Sequence, residues 1–154
     1  MKTCTALWLT LALLLSIAGC GGDDRSLETP AGTEGPDWGI TLSAEDVSPT
    51  GLTLVIRQTG GEPTGRLQYG VAYSLECLED QSWEPVPYVI DGTINWTLEA
   101  YEVSMEDSTE EEIRWEALYG SLAAGSYRLT KEFMDIRSPG DYDTRTFCAE
   151  FEID

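Results

Sequence analysis

The sequence predicts an all-β fold in which two sheets pack face to face, and two observations support this prediction. Beyond Trp38, apolar and polar residues alternate in short runs that turn-forming residues separate at fairly regular spacing. No stretch of this region shows the 3.6-residue periodicity of a long amphipathic helix. Seven to nine short strands are therefore expected between residues 38 and 154, a number typical of a β-sandwich.

The first half of this region contains three strand signals, which turns separate. Apolar and polar residues alternate over residues 40–44, and residues 52–58 place their apolar side chains on one face after a turn at 48–51. A cluster of Gly, Pro and Thr at 59–65 is a further turn. The alternation then runs from 67 to 77, which predicts one long strand.

The second half adds shorter signals. Residues 83–87 predict an edge strand, because their prolines cannot donate to a central ladder. Residues 94–105 predict one or two strands around two aromatic side chains, and another strand is expected to start at 113–115. After a turn, further strands are expected over 127–133 and 147–153.

Residues 1–19 have the pattern of a lipoprotein signal peptide. A positive start precedes an uncharged, mostly apolar run at 5–18, which as a helix would rise about 21 Å, short of the roughly 30 Å hydrocarbon core. The run ends in Ile17-Ala18-Gly19-Cys20, which resembles the lipobox of bacterial lipoproteins. This resemblance implies that the Cys20 sulfur carries a diacylglyceryl group and that the chain is cut before it. The alternative is an ordinary cleaved signal with an unmodified Cys20.

Residues 20–37 are rich in Gly, Pro and acidic residues and contain one large apolar side chain, Leu27. This composition predicts a flexible tether that leads to a domain at 38–154. The formal charge of the chain is −19, so anionic headgroups would repel it and the lipid on Cys20 must hold it at the membrane. We therefore expect an extracytoplasmic protein that is lipid-anchored to the bacterial membrane.

The composition excludes several kinds of chemistry. The chain has no histidine, which rules out Ser-His-Asp and Cys-His catalysis and His-ligated zinc. With 9 basic and 28 acidic residues, it is unsuited to binding nucleic acid. Carboxylate pairs that resemble a glycosidase site would arise by chance, and so small a sandwich has little room for a deep cleft. We expect no enzyme activity, no cofactor, and no catalytic or metal-binding residues.

A local motif predicts one structural element. Leu122, Gly125 and Tyr127 stand just before a predicted strand, an arrangement similar to the tyrosine corner of Greek-key sandwiches. In such a corner the phenol hydroxyl bonds to upstream backbone and fixes the crossing between the sheets. The alternative is that Tyr127 is an ordinary core aromatic at a strand start. Trp115 lies in an alternating run and is expected in the core.

Short motifs are spread over residues 38–154: Trp38-Gly39, Gly51-Leu52-Thr53-Leu54, Pro63-Thr64-Gly65, Trp83-Glu84-Pro85-Val86-Pro87, Gly125-Ser126-Tyr127-Arg128 and Lys131-Glu132. Together they resemble the bacterial immunoglobulin-like domain of secreted lipoproteins and of the extracellular tails of some membrane sensors. The resemblance implies an immunoglobulin-like β-sandwich and transfers no catalytic residues. Cys77 and Cys148 are not part of the shared pattern.

Two cysteines remain in the domain once Cys4 leaves with the signal peptide and Cys20 is lipidated. In an extracytoplasmic compartment, Cys77 and Cys148 are a candidate disulfide. Strand parity speaks against the bond, because Cys77 shares a face with apolar neighbours whereas Cys148 falls on a polar face. A bulge would reconcile the two faces, so the pairing stays open.

Acidic and aromatic side chains give two further candidate binding features. Acidic residues cluster at 106–112 and at 141–143, where sandwich loops can supply calcium ligands, although solvated acidic loops are the favoured interpretation. Trp38 and Trp83 lie near predicted edges or turns and are candidates for an exposed surface that binds glycans or peptides. Structural roles are favoured for these tryptophans as well.

We therefore expect a non-catalytic, lipid-anchored surface domain that binds or presents something outside the membrane, with an envelope protein or a glycan as candidate ligand. The loops at one end of the sandwich would be its natural contact surface. Two alternatives remain. One is an accessory or sensor-like domain that contacts another envelope protein, and the other is a calcium-dependent adhesion module.

Overall fold

The computed structural model describes residues 37–154, and nearly all of their regular structure is β-strand. The predicted signal peptide at 1–19, Cys20 and almost all of the predicted tether lie outside the described residues. Within 37–154, no helix has the length and apolar character needed to cross a membrane. The strands are β1 (Ile40–Ser48), β2 (Gly51–Gln58), β3 (Arg66–Gly70), β4 (Ser74–Glu79), β5 (Ser82–Pro85), β6 (Ala100–Glu102), β7 (Thr109–Arg114), β8 (Gly125–Ser138) and β9 (Asp141–Ile153), and a single helical turn, α1 (Glu116–Tyr119), follows β7.

The strands of the described residues form two antiparallel sheets. The smaller sheet has the order β1–β2–β7. The larger sheet is built around β8, which pairs with β9 along one edge and with β3 and β4 along the other. β5 extends this sheet beyond β4, and β6 extends it beyond β3. The predicted all-β fold of seven to nine strands is confirmed.

The core lies between the two sheets and uses the alternating apolar positions of the sequence. β2 contributes Leu52, Leu54 and Ile56, and β8 contributes Leu129 and Phe133. Successive side chains of a strand point to opposite faces, so this alternation places one face of each sheet in the core. The outer faces carry most of the charged side chains.

Trp115, expected in the core, is fully buried at the end of β7. Its ring stacks on Phe151 with the centroids 5.7 Å apart. Its indole Nε1 donates to the carbonyl oxygen of Pro49 at 2.9 Å, and its backbone N–H donates to Thr50 at 3.0 Å. Trp115 therefore fastens the β1–β2 turn to the end of β7 and satisfies its own polar atom inside the core.

β3 and β4 follow one another along the same edge of β8, where the sequence predicted one strand over 67–77. The pairing of β3 ends at Tyr69 with Phe133, and the pairing of β4 begins at Ser74 with Thr130. The four residues between the two segments therefore stand opposite only two residues of β8. This irregularity is a bulge, and it splits the predicted strand because extra residues on one side of a ladder bend that side.

Of two other strand predictions, the first is confirmed in part and the second is wrong. Residues 94–105, expected to form one or two strands, contain one short strand, β6, since its partner β3 ends at Gly70 and leaves Ala100–Glu102 as the paired segment. Residues 113–114 end β7 rather than start a strand, because β7 begins within the acidic run at Thr109. Alternation of apolar residues misses this strand, since its inward position 111 is a glutamate.

That glutamate forms an ion pair between the two sheets. Lys131 of β8 is fully buried, and its Nζ lies 3.1 Å from Glu111 Oε1 of β7. The same ammonium stands 5.2 Å from the ring centroid of Tyr69, close enough for a cation–π interaction. Burial lowers the pKa of Lys131, while the charge and the hydrogen bond of Glu111 oppose that shift.

Asp135, which lies four residues after Lys131 on β8, is also fully buried and holds the loop between β2 and β3. Its carboxylate accepts hydrogen bonds from the backbone N–H and hydroxyl of Thr64, at 2.7 and 2.9 Å, and from the N–H of Gly65 at 2.6 Å. Burial by itself raises the pKa of Asp135, but these donors and nearby Arg137 together hold it below its ordinary value. The loop is thus fixed by charge-assisted hydrogen bonds.

The residues of the predicted tyrosine corner lie together before β8. The Tyr127 hydroxyl donates to the carbonyl oxygen of Ala123 at 3.0 Å, which is the bond back to upstream backbone that such a corner makes. The Tyr127 ring covers Gly125, whose added Cβ would lie 3.5 Å from the ring. The backbone N–H of Leu122 donates to Pro49 at 2.9 Å, so the same turn is tied to the smaller sheet.

The structure does not form the candidate disulfide between Cys77 and Cys148, since both thiols are free. β8 lies between their strands, with Cys77 opposite Tyr127 and Cys148 opposite Thr130. Two strand spacings of about 4.8 Å each exceed the roughly 7 Å that a disulfide tolerates between Cα atoms. Positions 127 and 130 have opposite parity, so the two thiols also face opposite sides of the sheet.

The tyrosine corner gives the first prediction. Tyr127→Phe keeps the ring and removes the hydroxyl, which leaves the partly buried Ala123 carbonyl without its donor. We expect the free energy of unfolding in urea to fall by roughly 1–3 kcal/mol. Tyr142→Phe, an exposed tyrosine of β9, is the control and should leave stability unchanged. Equal stability of both variants would reduce Tyr127 to an ordinary core ring.

The ion pair between the sheets gives the second prediction. Lys131→Met leaves Glu111 without a partner in the core and should lower the free energy of unfolding by about 3–5 kcal/mol, whereas Lys131→Met with Glu111→Leu should recover much of that loss. Arg66→Met, which breaks the exposed pair with Glu102, should change stability little. If the single Lys131 variant were as stable as the Arg66 variant, the pair would have no part in holding the sheets.

Candidate functional site

The candidate site is the long connection between β5 and β6, residues 86–99, which contains no strand or helix. Its sequence combines Pro87 and Gly92 with several large apolar residues. Connections on a protein surface are usually polar, and apolar residues are usually buried in the core. This segment is apolar, but it crosses the surface and leaves much of its apolar area exposed to solvent.

Backbone hydrogen bonds hold the first part of the 86–99 segment against the domain. The N–H of Val86 donates to Leu75 of β4 at 2.9 Å, and the N–H of Val89 donates to Leu118 of α1 at 2.8 Å. Gly120, in the left-handed region at φ +73°, ends α1, and an added Cβ there would lie 3.4 Å from the Val89 side chain. The segment is therefore docked on the helical turn.

Four rings form an aromatic cluster beneath the segment: Tyr73, Tyr88, Trp96 and Tyr119. Their ring centroids lie 5.2 Å apart for Tyr73 and Trp96, and 4.7 Å apart for Tyr88 and Tyr119, while Tyr73 and Tyr119 join the two pairs at 6.3 Å. The Tyr73 hydroxyl also donates to the backbone oxygen of Arg114 at 3.3 Å. The aromatic cluster thus links both ends of the segment to β7 and α1.

The apolar side chains that remain uncovered are large. Tyr88 is 46 % exposed, Val89 63 %, Ile90 41 %, and Leu98 is fully exposed. Single exposed apolar residues are normal on any surface, but several of them on one docked segment make it the candidate interaction site. Tyr101, just beyond the segment in β6, adds another half-exposed ring that packs on Tyr69.

The surroundings of the segment are strongly acidic. From Glu84 to Glu116 the chain contains ten acidic residues and one basic residue, Arg114, which leaves a formal charge of −9. The guanidinium of Arg114 already binds Glu112, with Nε and Oε1 2.8 Å apart. The stretch of chain that contains the segment therefore carries a strong excess of negative charge.

The phenol groups of the aromatic cluster are hydrogen-bonding groups rather than reactive ones. Burial, together with the neighbouring Tyr88 and Glu111, raises the pKa of Tyr73 to about 12. Burial and a hydrogen bond with Tyr88 raise the pKa of Tyr119 as well. Both hydroxyls are therefore neutral at any physiological pH, and the arrangement offers ring surface and hydrogen bonds but no activated nucleophile.

The tryptophans proposed for an exposed surface lie elsewhere. Trp38 is fully buried against Phe147, and the guanidinium of Arg145 covers its ring at 4.8 Å, which agrees with the structural role favoured for it. Trp83 is half buried, and Arg128 stacks on it at 4.8 Å. Each ring is covered because a nearby arginine closes the side that a strand edge would leave open.

Several carboxylates of the two acidic clusters considered as calcium ligands are engaged in ion pairs. Arg137 binds both Asp141 and Asp143, at 2.7 and 2.8 Å. Glu111 and Glu112 bind Lys131 and Arg114, as described above. Among residues 37–154, no three His, Cys, Asp or Glu side chains are close enough together to hold a metal ion.

A shallow cavity of about 400 Å³ lies beside the β1–β2 turn, near the end of β7 and the start of α1. Ser48, Thr50, Glu112 and Arg114 line it. Its one basic side chain pairs with its own acidic neighbour, so the cavity presents no unengaged cation and no reactive group.

Sequence reasoning missed the 86–99 segment because its residues match a strand pattern. Ile94, Trp96 and Leu98 alternate with polar residues, which predicted a strand. The sequence feature that argues against a strand here is the combination of Pro87 and Gly92, since both residues disfavour a long hydrogen-bonded ladder.

The comparisons with known proteins give one family. A family model described as a bacterial Ig-like domain matches residues 36–152. No curated protein and no solved structure matched the chain.

The docked state of the segment can be tested by hydrogen exchange. Tyr88→Ala removes the ring that packs on Tyr119, and we expect the backbone amide of Val89 to exchange roughly tenfold faster, since that contact is worth about 1–2 kcal/mol. Leu98→Ala is the control, because Leu98 is fully exposed and should leave the exchange rate of Val89 unchanged. Unprotected exchange of the Val89 amide in the unaltered protein would contradict docking.

Proposed function

The chain belongs to the bacterial Ig-like domain family, and from that premise we propose that it is a lipid-anchored, extracytoplasmic protein whose domain binds or presents a partner. Bacterial Ig-like domains are usually extracellular or surface-exposed, and they are typically non-catalytic. Function is a property of sites rather than folds, so the partner must be inferred from the surface of this domain.

The observation that carries the proposal is the order of segments along the chain. The cysteine of a lipobox, Cys20, precedes a Gly- and Pro-rich stretch, and the family match begins directly afterwards at residue 36. Two acyl chains on Cys20 would give stable membrane attachment where a single chain gives only marginal binding. A coil of this length spans roughly 20–25 Å, enough to lift a small domain away from the headgroups.

The 86–99 segment supports a binding role. It is docked on α1 by its backbone, yet it leaves Tyr88, Val89, Ile90 and Leu98 in contact with solvent. Exposed apolar side chains on a held segment reduce the ordering cost of binding, because the contact surface is in place before the partner arrives. The engaged carboxylates at Arg137 favour this role over a calcium-dependent adhesion module.

A second candidate function is that of an accessory domain for another envelope protein. The same segment favours it, because an apolar surface of this kind is suited to a protein partner. The lipid anchor and the contact surface would serve both functions. Identification of the partner would distinguish the two functions.

The anchor is tested on the protein as cells produce it. We expect the mature chain to begin at Cys20, to carry a diacylglyceryl thioether in its intact mass, and to sediment with membranes. Cys20→Ser should release the protein from the membrane fraction or stop its maturation.

Cys4→Ser is the matched control, since Cys4 lies within the predicted signal peptide and should have no effect. A mature chain with an unmodified Cys20 in the soluble fraction would overturn the proposed anchoring.

A further inference from the structure

We propose that the 86–99 segment binds a cationic peptide segment of a protein partner, and that this peptide segment carries apolar side chains. The inference rests on the proposed function as a binding domain and adds the chemistry of the partner. It follows from two properties of the same surface, its exposed apolar side chains and its unbalanced negative charge.

The spacing of the apolar side chains along the segment favours an extended partner. Val89 and Ile90 lie where the segment is docked on α1, and Leu98 lies near its other end, just before β6. These side chains are exposed to solvent, so a small molecule would find little to surround it. An extended peptide can instead place successive apolar side chains against them and cover the exposed area.

The charges of the segment and its surroundings indicate that the partner is positively charged. Asp91 and Glu99 of the segment and Glu116 of α1 are exposed, and none of them forms a salt bridge within residues 37–154. Arg66 of β3 and Arg114 of β7 are held by Glu102 and Glu112. Lys or Arg side chains of a partner would therefore supply the missing counter-charges, and their approach would be accelerated by the surrounding field.

The same charge speaks against a bilayer as the occupant. Bacterial membrane surfaces carry anionic headgroups, which would repel the excess acidic charge of residues 84–116. The apolar side chains are thus flanked by the wrong charge for insertion into lipid. A cationic peptide segment satisfies both the apolar and the electrostatic requirement.

The test uses the full chain in phosphatidylcholine nanodiscs, with empty nanodiscs as the blank. The probe is a fluorescent peptide of about twelve residues that alternates Lys with Leu, long enough to lie along the segment. We expect saturable binding that weakens about tenfold or more when salt rises from about 0.05 to 0.5 M, since screening removes the attraction of the carboxylates. A peptide in which Glu replaces every Lys should not bind.

Variants of the protein locate the site. Ile90→Ser with Leu98→Ser should weaken binding of the Lys–Leu peptide about tenfold or more, because the apolar contacts are worth at least about 1.4 kcal/mol. Asp91→Lys should weaken it through charge alone. Tyr142→Ser is the matched control, because Tyr142 is 52 % exposed on β9, which lies on the opposite edge of β8 from β3 and β4.

The outcomes separate this inference from the anchoring proposal. Equal binding of the Lys and Glu peptides, or loss of binding in Tyr142→Ser but not in the double variant, overturns the inference and leaves the lipid anchor untouched. An unmodified Cys20 with intact peptide binding overturns the anchor and leaves the inference standing. Binding of the Lys–Leu peptide that needs Ile90, Leu98 and Asp91 together supports the cationic partner.

Discussion

The relative position of the two sheets depends on one ion pair, Lys131 with Glu111. A charge buried without a partner would cost several kcal/mol, so the packing that brings β7 to β8 must also bring these two groups together. Apolar packing alone tolerates small shifts between sheets, whereas an ammonium 3.1 Å from a carboxylate does not. The Tyr69 ring completes the enclosure of the ammonium, which ties β3 to the same point.

The bulge between β3 and β4 lies opposite Lys131 on β8, and it shapes the candidate binding surface. Because the edge of the larger sheet divides there, β5 extends one part and β6 extends the other. The chain must then run from β5 to β6 outside any ladder, and residues 86–99 are that connection. The bulge opposite the buried Lys131 therefore also accounts for the exposed connection at the edge of the larger sheet.

The sequence was most informative where a strand has one buried and one solvated face. Alternation located β1, β2, β8 and β9, and parity placed Cys77 and Cys148 on opposite faces, as the register of β8 shows. It failed where charged groups take inward positions, as Glu111, Lys131 and Asp135 do, since a local pattern contains no information about a partner far along the chain. It left an exposed Trp38 open as an alternative, because Phe147 and Arg145, which cover this ring, lie far along the chain. The prediction for the segment at 86–99 failed for the opposite reason. Its residues alternate as in a strand, but they have no neighbouring strand to pair with.

The two free thiols have a consequence for how the molecule matures. No covalent cross-link joins the described strands, so their assembly relies on packing, hydrogen bonds and the buried charges alone. The fold of the described residues is therefore expected to be the same under reducing and under oxidising conditions.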